Sequence, residues 1–182
     1  METEKTPLVL VIVVGPQASG KSTFAAALSA ESRRRGERVA LVELDDIAAM
    51  ALPSLPSWEA AHHVFEAVTG LWARTDLTSV IAEGSGSRDE VSRLEMQAPP
   101  GAVVITVATT VDFETALSRA QLDPTRGVSR ERDFLSHVYD LWAEDLGLID
   151  ADVVVDTGVL SVDEAVAHVS ALIDTARLAR PR

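Results

Sequence analysis

Apolar positions along the chain alternate between two patterns: short unbroken β-branched runs and longer stretches with helical spacing. Residues 8–14 (LVLVIVV) form the first unbroken run. A run of that length reads as a strand buried on both faces. Residues 21–35 switch to helical spacing, with Phe24, Ala27 and Leu28 on one side. Arg33, Arg34 and Arg35 fill its last turn and Gly36 follows as a stop signal. Residues 38–44 predict a second strand. Residues 46–74 are helical in pattern but broken at Pro53 and Pro56. Ser57 is placed to cap the second piece, with Ala60, Val64, Val68 and Leu71 along its expected buried face. A third strand is predicted over 79–83 and a helix over 87–96, ended by Pro99-Pro100-Gly101. A fourth strand follows over 102–108. Asp112 opens a helix running to about Gln121, residues 123–127 break the pattern, and 130–147 return to helix. Residues 152–155 form a fifth strand. Ser161 and Glu164 then make a capping-box pair before a last helix through about Leu178.

Five apolar strands separated by helices indicate βαβ units and a parallel sheet, an α/β fold. No repeat, low-complexity tract or linker interrupts the order. The 182 residues therefore read as one domain of ordinary size, with loose ends at 1–6 and 179–182. The N-terminal apolar run is too short for a signal peptide, and no segment approaches the roughly 20 residues of a membrane span. Hydrophobic residues make up 47% of the chain but aromatics only 4%, so the core must be mostly Val, Leu, Ala and Ile. There is no cysteine, which excludes disulfides, zinc–thiolate sites and thiol nucleophiles and suits the cytoplasm. Sixteen Lys and Arg stand against 28 Asp and Glu, a net charge of −12. Such a field opposes nucleic acids and anionic membranes. A chain of this kind binds an anion only by concentrating its few cations at one place.

One place qualifies. Gly15-Pro16-Gln17-Ala18-Ser19-Gly20-Lys21-Ser22 satisfies G-x-x-x-x-G-K-[ST] at every fixed position, between a buried strand and an amphipathic helix. The spacing has a mechanism. Glycines let the backbone curl so that successive amides, through Thr23, face one phosphate group, and the helix adds its N-terminal partial charge. Lys21 reaches the outer phosphates and the Ser22 hydroxyl ligates Mg²⁺. A chance match in a chain this long is on the order of 1% or less from average residue usage.

With this motif and this element order, the chain resembles the small P-loop kinases: adenylate-, shikimate- and gluconate-kinase-like enzymes, chloramphenicol phosphotransferase and the kinase domain of polynucleotide kinase. The resemblance covers nearly the whole chain, although the phosphate loop is its one specific motif. It implies a P-loop NTPase three-layer α/β/α sandwich, with a five-stranded parallel sheet in order 2-3-1-4-5 and a short lid. It also implies an acidic residue after the second strand and arginines in the lid after the fourth. Asp45 and Asp46 stand at the first of these positions. The resemblance makes Asp45, with Asp46 second, the carboxylate that takes the proton of an acceptor hydroxyl; Asp46 alternatively caps the next helix. Glu83 closes the third strand before Gly84-Ser85-Gly86-Ser87, where it resembles a Walker B acid that holds water around Mg²⁺ or serves as the base itself. Arg119, Arg126, Arg130 and Arg132 fall within fourteen residues. Of these, Arg126 is placed to stabilise the transferring phosphoryl group and Arg119 to lie near the adenine. Trp58, His62, His63, Phe65 and Trp72 occupy the region that lines the acceptor pocket in related enzymes. Tyr139 and Trp142 read as packing; Asp156-Thr157-Gly158 reads as a plain turn, or, as the resemblance implies, a segment that passes near the adenine.

These readings converge on an ATP- and Mg²⁺-dependent phosphotransferase acting on a hydroxyl of a small molecule. The alternatives are a P-loop ATPase or switch acting on a protein partner, and a polynucleotide 5′-kinase. The chain has no Asn/Thr-Lys-x-Asp guanine reader, and the net charge disfavours a polynucleotide. Neither the acceptor nor the oligomeric state is encoded in a motif.

Overall fold

The computed structural model describes residues 6–179. Apart from Thr6 and Ala179, the ends expected to be loose lie outside the described residues. Strands β1 (Val9–Val14), β2 (Val39–Glu43), β3 (Ser79–Glu83), β4 (Val103–Thr110) and β5 (Val153–Asp156) pair in parallel in the order β2-β3-β1-β4-β5. The α-helices are α1 (Lys21–Arg34), α2 (Leu44–Ala49), α3 (Trp58–Ala73), α4 (Arg88–Glu95), α5 (Phe113–Leu122), α6 (Arg132–Leu146) and α7 (Val162–Leu178). A 3-10 segment, Pro124–Arg130, joins α5 to α6.

β1 is the central strand, and all six of its residues are buried. Its side chains alternate across the sheet. Val9, Val11 and Val13 join Phe24 and Leu28 of α1 and Val169 and Ile173 of α7. Leu10, Ile12 and Val14 join Phe65 of α3, Leu94 of α4 and Trp142 of α6. A smaller cluster sets Ala18 against Ala116, Leu117 and Ala120 of α5 and Leu135 of α6. Helices thus cover both faces, as an all-parallel sheet requires.

Val13 of β1 and Glu43 of β2 are both in register with Glu83 of β3, so these three strands end flush. After β1 the chain turns into α1 on one face; after β3 it turns into α4 on the other. Diverging connections of this kind leave a crevice at the carboxyl ends of the strands.

Three local expectations need correction. The strand expected over 38–44 stops at Glu43, because Leu44 already begins α2. Asp45 and Asp46 lie in the first turn of α2, and Asp46 caps nothing. On α3 the buried stripe runs through Ala61, Phe65, Thr69 and Ala73, one to two positions later than expected. Val64 and Leu71 are 49% and 70% exposed. Glu66 and Thr69 can turn inward because each finds a partner: Arg93 Nε donates to Glu66 at 2.6 Å and Thr69 Oγ1 donates to the Phe65 carbonyl at 2.8 Å. The Ser57 cap and the Ser161–Glu164 capping box form as expected.

Candidate active site

The loop between β1 and α1 depends on glycine for its shape. A Cβ on Gly15 would run into Thr109 and the Ser19 hydroxyl. Gly20 has φ +91°, and a Cβ there would lie 3.3 Å from the Thr157 side chain. Ala18 also takes a positive φ of 62°, uncommon for a residue with a Cβ. Side chains from neighbouring strand ends fasten the curl. Thr109 Oγ1 donates to the Val14 carbonyl at 3.2 Å, and Ser19 Oγ pairs with Thr109 Oγ1 at 2.8 Å. Thr157 Oγ1 donates to the Ser19 carbonyl at 2.6 Å and itself accepts from Arg119 Nη1 at 2.9 Å. Ser19 is fully buried, and its amide donates to the Pro16 carbonyl at 3.2 Å. Its side chain braces the loop.

The helix that follows begins unusually. The N-cap of α1 is Gly20, with no side-chain cap and no acidic residue in the first turn. Every other α-helix among the described residues has an acid in its first turn, and α3, α4, α5 and α7 also have a capping side chain. The first amides of α1 are therefore left without a protein anion where the partial positive charge is greatest.

A cavity of about 730 Å³ opens over this loop at the crevice. Gly15, Pro16, Gln17, Lys21 and Ser22 form one side of it; Asp45, Trp58, His62, Glu83 and Ser85 form another; Asp123, Arg126 and Ser129 of the lid close a third. Lys21 Nζ lies 3.3 Å from Glu83 Oε1. Burial pushes the Glu83 carboxyl above its ordinary range; Lys21 pulls against this, while Asp45 and Glu43 add to it. Glu43 is also raised, first by burial and then by Asp46 and Asp45. Asp45 lines the cavity and is exposed; Asp46, also exposed, lies outside the lining.

A second cavity of about 360 Å³ lies on the other side of the loop. Ala18, Gly20, Thr23 and Arg119 line it, with apolar Leu160 and Ala165 opposite. Arg119 Nη2 donates to the Thr157 carbonyl at 2.9 Å, so the guanidinium is a wall of this cavity. Arg126 borders both cavities, its Nε 3.2 Å from Asp123 Oδ2. The lid is tied to the loop through Gln17, whose side-chain oxygen accepts from Ser129 Oγ and whose carbonyl accepts from Tyr139 OH at 3.2 Å. The other two arginines of the cluster face elsewhere. Arg132 pairs with Glu114 at 2.7 Å and lies over the Phe113 ring; Arg130 donates to the Gln121 carbonyl at 3.4 Å. Phe65 and Trp142 are core, whereas Trp58 is 57% exposed at the cavity and Trp72 lies outside its lining.

Three contributors escaped the sequence reading. Glu43 looked like an ordinary strand residue. Thr109 is the penultimate residue of β4, with no motif around it. Glu90 occupies a helix first turn, where acids are common, yet it is fully buried. The Gly86 amide and Ser85 Oγ donate to it at 3.0 and 3.1 Å, and His62 Nδ1 lies 2.7 Å away. Burial alone would raise this carboxyl; His62, Gly86 and Ser85 together hold it below its ordinary range.

The residues present suit a nucleoside triphosphate with Mg²⁺. The loop has the glycine-dependent curl and the unpartnered helix start that a phosphate group needs. Ser22 supplies a hydroxyl oxygen in the same cavity as the Asp45 and Glu83 carboxylates. No cluster of three or more His, Cys, Asp or Glu among the described residues could hold a metal unaided. Mg²⁺ at phosphate sites takes only one or two protein ligands and completes its shell with phosphate and water.

The chain matches no protein-family model and no curated protein. Solved structures are a different matter. Shikimate kinase from Acinetobacter baumannii, in complex with shikimate, superposes with a TM-score of 0.67 at 17% identity, over 93% of this chain and 95% of that one. The chain has the fold of the small P-loop kinases. A gluconokinase from Sinorhizobium meliloti gives a TM-score of 0.63 at 18% identity, over 95% and 97% of the two chains. The YorR protein of Bacillus subtilis, in complex with phosphorylated GDP, gives 0.63 at 16% identity, over 94% and 99%. The expected sheet order and flanking helices of the P-loop kinase fold are therefore present in full. Among the described residues no helix is long and apolar enough to cross a membrane.

Proposed function

We propose that the chain is a small-molecule kinase that binds Mg-ATP on the β1–α1 loop and transfers its γ-phosphoryl group to a hydroxyl. The observation that carries this reading is the start of α1, a glycine-shaped and uncapped helix end with no acid in its first turn, in a chain of net charge −12. Bound Mg-ATP would supply the phosphoryl group and a metal to neutralise it. The chain's own residues do the rest. The amides after Gly20 and the Lys21 ammonium hold the phosphate tail. Arg126, between the two cavities, adds positive charge where the triphosphate would pass. The base packs in the smaller cavity against Arg119 and the apolar side chains of α7. The acceptor enters the larger cavity between Asp45 and Trp58.

Two carboxylates compete for the role of base. Glu83 is 3% exposed and its Oε1 faces Lys21. Asp45 is exposed to the cavity and free to meet a hydroxyl. We assign Asp45 to orient the acceptor hydroxyl and take its proton. Glu83 holds Lys21 and the water around the metal, with Ser22 as its direct ligand. The acceptor side, lined by the Asp45 and Glu83 carboxylates, repels a polynucleotide.

The test is a panel of sugars, polyols, nucleosides and hydroxylated antibiotics, scored by ATP consumption over the idle rate. At least one member should stimulate consumption and acquire phosphate. Lys21→Ala should abolish transfer. Asp45→Asn should keep ATP affinity and lose about 10²- to 10⁴-fold in rate. Full turnover in Asp45→Asn would move the base to Glu83. Consumption stimulated only by a protein partner would overturn the kinase reading.

A further inference from the structure

The buried Glu90 is larger in its consequences than a helix-start acid needs to be. Its carboxylate accepts from the Gly86 amide at 3.0 Å and from Ser85 Oγ at 3.1 Å, and His62 Nδ1 of α3 lies at ion-pair distance, 2.7 Å. Burial alone would favour the neutral form of this carboxyl; His62, the Gly86 amide and Ser85 favour the ionised one and outweigh it. The Gly84–Ser87 turn it holds also backs the phosphate loop, since a Cβ on Gly86 would lie 3.1 Å from the Gly15 nitrogen. His62 is the other end of this arrangement. Its Nδ1 is fully buried against Glu90, yet the side chain keeps 16% exposure and lines the larger cavity. The part of the side chain that lines the cavity is therefore not Nδ1. The basic side chains among the lining residues are Lys21, Arg126 and His62; Lys21 is engaged with Glu83 and Arg126 with Asp123, and His62 shares α3 with Trp58 of the same lining.

The geometry points to His62 as an acceptor-binding residue, presented by Glu90 so that Nε2–H donates to an oxygen of the acceptor molecule. This rests on the acceptor occupying the larger cavity, as the kinase reading has it. Asp45 then receives the reacting hydroxyl and His62 fixes a second oxygen, which sets the register of the acceptor against the phosphate. The charged groups around the ring decide its state. Glu90 raises its pKa most; Arg93 of α4 opposes and Glu66 of α3 adds a smaller rise, with Asp45 facing the same cavity. The ring stays cationic, and so a donor at both nitrogens, to a pH above the ordinary histidine range.

The experiment uses the full chain with ¹⁵N-labelled histidine rings, Mg²⁺ and a non-hydrolysable ATP analogue. The probes are D-glucose, D-gluconate, shikimate and adenosine. His62→Gln assigns the His62 signals among the four histidines. At least one probe should shift Nε2 of His62. For that probe, His62→Ala should raise the KM about tenfold or more, the size expected for one hydrogen bond to a charged group, with the KM for ATP unmoved. His62→Gln, which places an uncharged donor near Nε2, should recover most of that loss. In wild type the acceptor KM should rise at alkaline pH. That limb should move to lower pH in Glu90→Gln and disappear in His62→Gln. Silence of Nε2 to all four probes overturns the proposal, and so does an equal KM change for acceptor and ATP. An Nε2 response without ATP consumption would retain His62 and remove the transfer reading. Consumption with an unmoved acceptor KM in His62→Ala would do the reverse.

Discussion

Replacing Lys21 by Met tests the electrostatics of the site through stability alone, with no acceptor needed. Met keeps the apolar stem and removes the charge 3.3 Å from Glu83 Oε1. At that distance, with an effective dielectric near 20, the attraction is about 5 kcal/mol. Burial nevertheless outweighs it, since the Glu83 carboxyl sits above its ordinary range with Lys21 in place. Without Lys21 the carboxylate keeps only its like-charged neighbours Asp45 and Glu43, and it takes up a proton to escape. A carboxyl whose pKa is raised by folding leaves stability intact below its unfolded value and lowers it as pH climbs through the folded value. Lys21→Met raises that folded value further, so the variant loses little at pH 5 and most above pH 7. Breaking one partner of a buried pair costs about 3–5 kcal/mol. Lys21 faces an open cavity and is 13% exposed, so about 2 kcal/mol at pH 8 is the expected loss. Urea melts of wild type, Lys21→Met and Lys21→Met/Glu83→Gln at pH 5, 6.5 and 8 measure it. The double variant, which lacks the carboxyl, should not show the alkaline loss of the single one. A loss of equal size at all three pH values would refute the reasoning, as would a double variant that keeps the slope of the single one.

Two other substitutions probe the frame of the loop. Thr157→Val keeps the shape but removes the hydroxyl that joins Arg119 to the Ser19 carbonyl, and should weaken Mg-ATP binding about tenfold by calorimetry; an unchanged affinity would show that the brace does not set the loop. Gly86 has φ +104°, and a Cβ there would lie 2.7 Å from the Trp142 ring. Gly86→Ala should therefore cost about 2–4 kcal/mol, lowering Tm by roughly 5–12 °C; an unchanged Tm would contradict the packing described.

The parts of this molecule that were legible in its sequence are those specified by local chemistry. The β1 run, the loop of fixed spacing, the Ser57 cap and the Ser161–Glu164 box each carry their cause within a few residues. What was not legible depends on partners far along the chain. Glu66 turns inward on α3 because Arg93 of α4 receives it, and Val64 and Leu71 are left at the surface. Glu90 is buried because the turn after β3 folds its donors onto it and α3 brings His62. The motif does not say where the Ser19 hydroxyl goes; it pairs with Thr109, ninety residues away. The arginine cluster likewise divides by tertiary contact: Arg119 and Arg126 border the cavities, while Arg132 goes to Glu114.

The central claim is that the curl between β1 and α1 receives a triphosphate. Calorimetric titration of Mg-ATP into the folded chain and into Lys21→Ala measures it directly. One equivalent should bind to wild type, and the variant should bind about 10- to 100-fold more weakly. A folded wild-type chain that takes up no nucleoside triphosphate in the presence of Mg²⁺ would contradict the account.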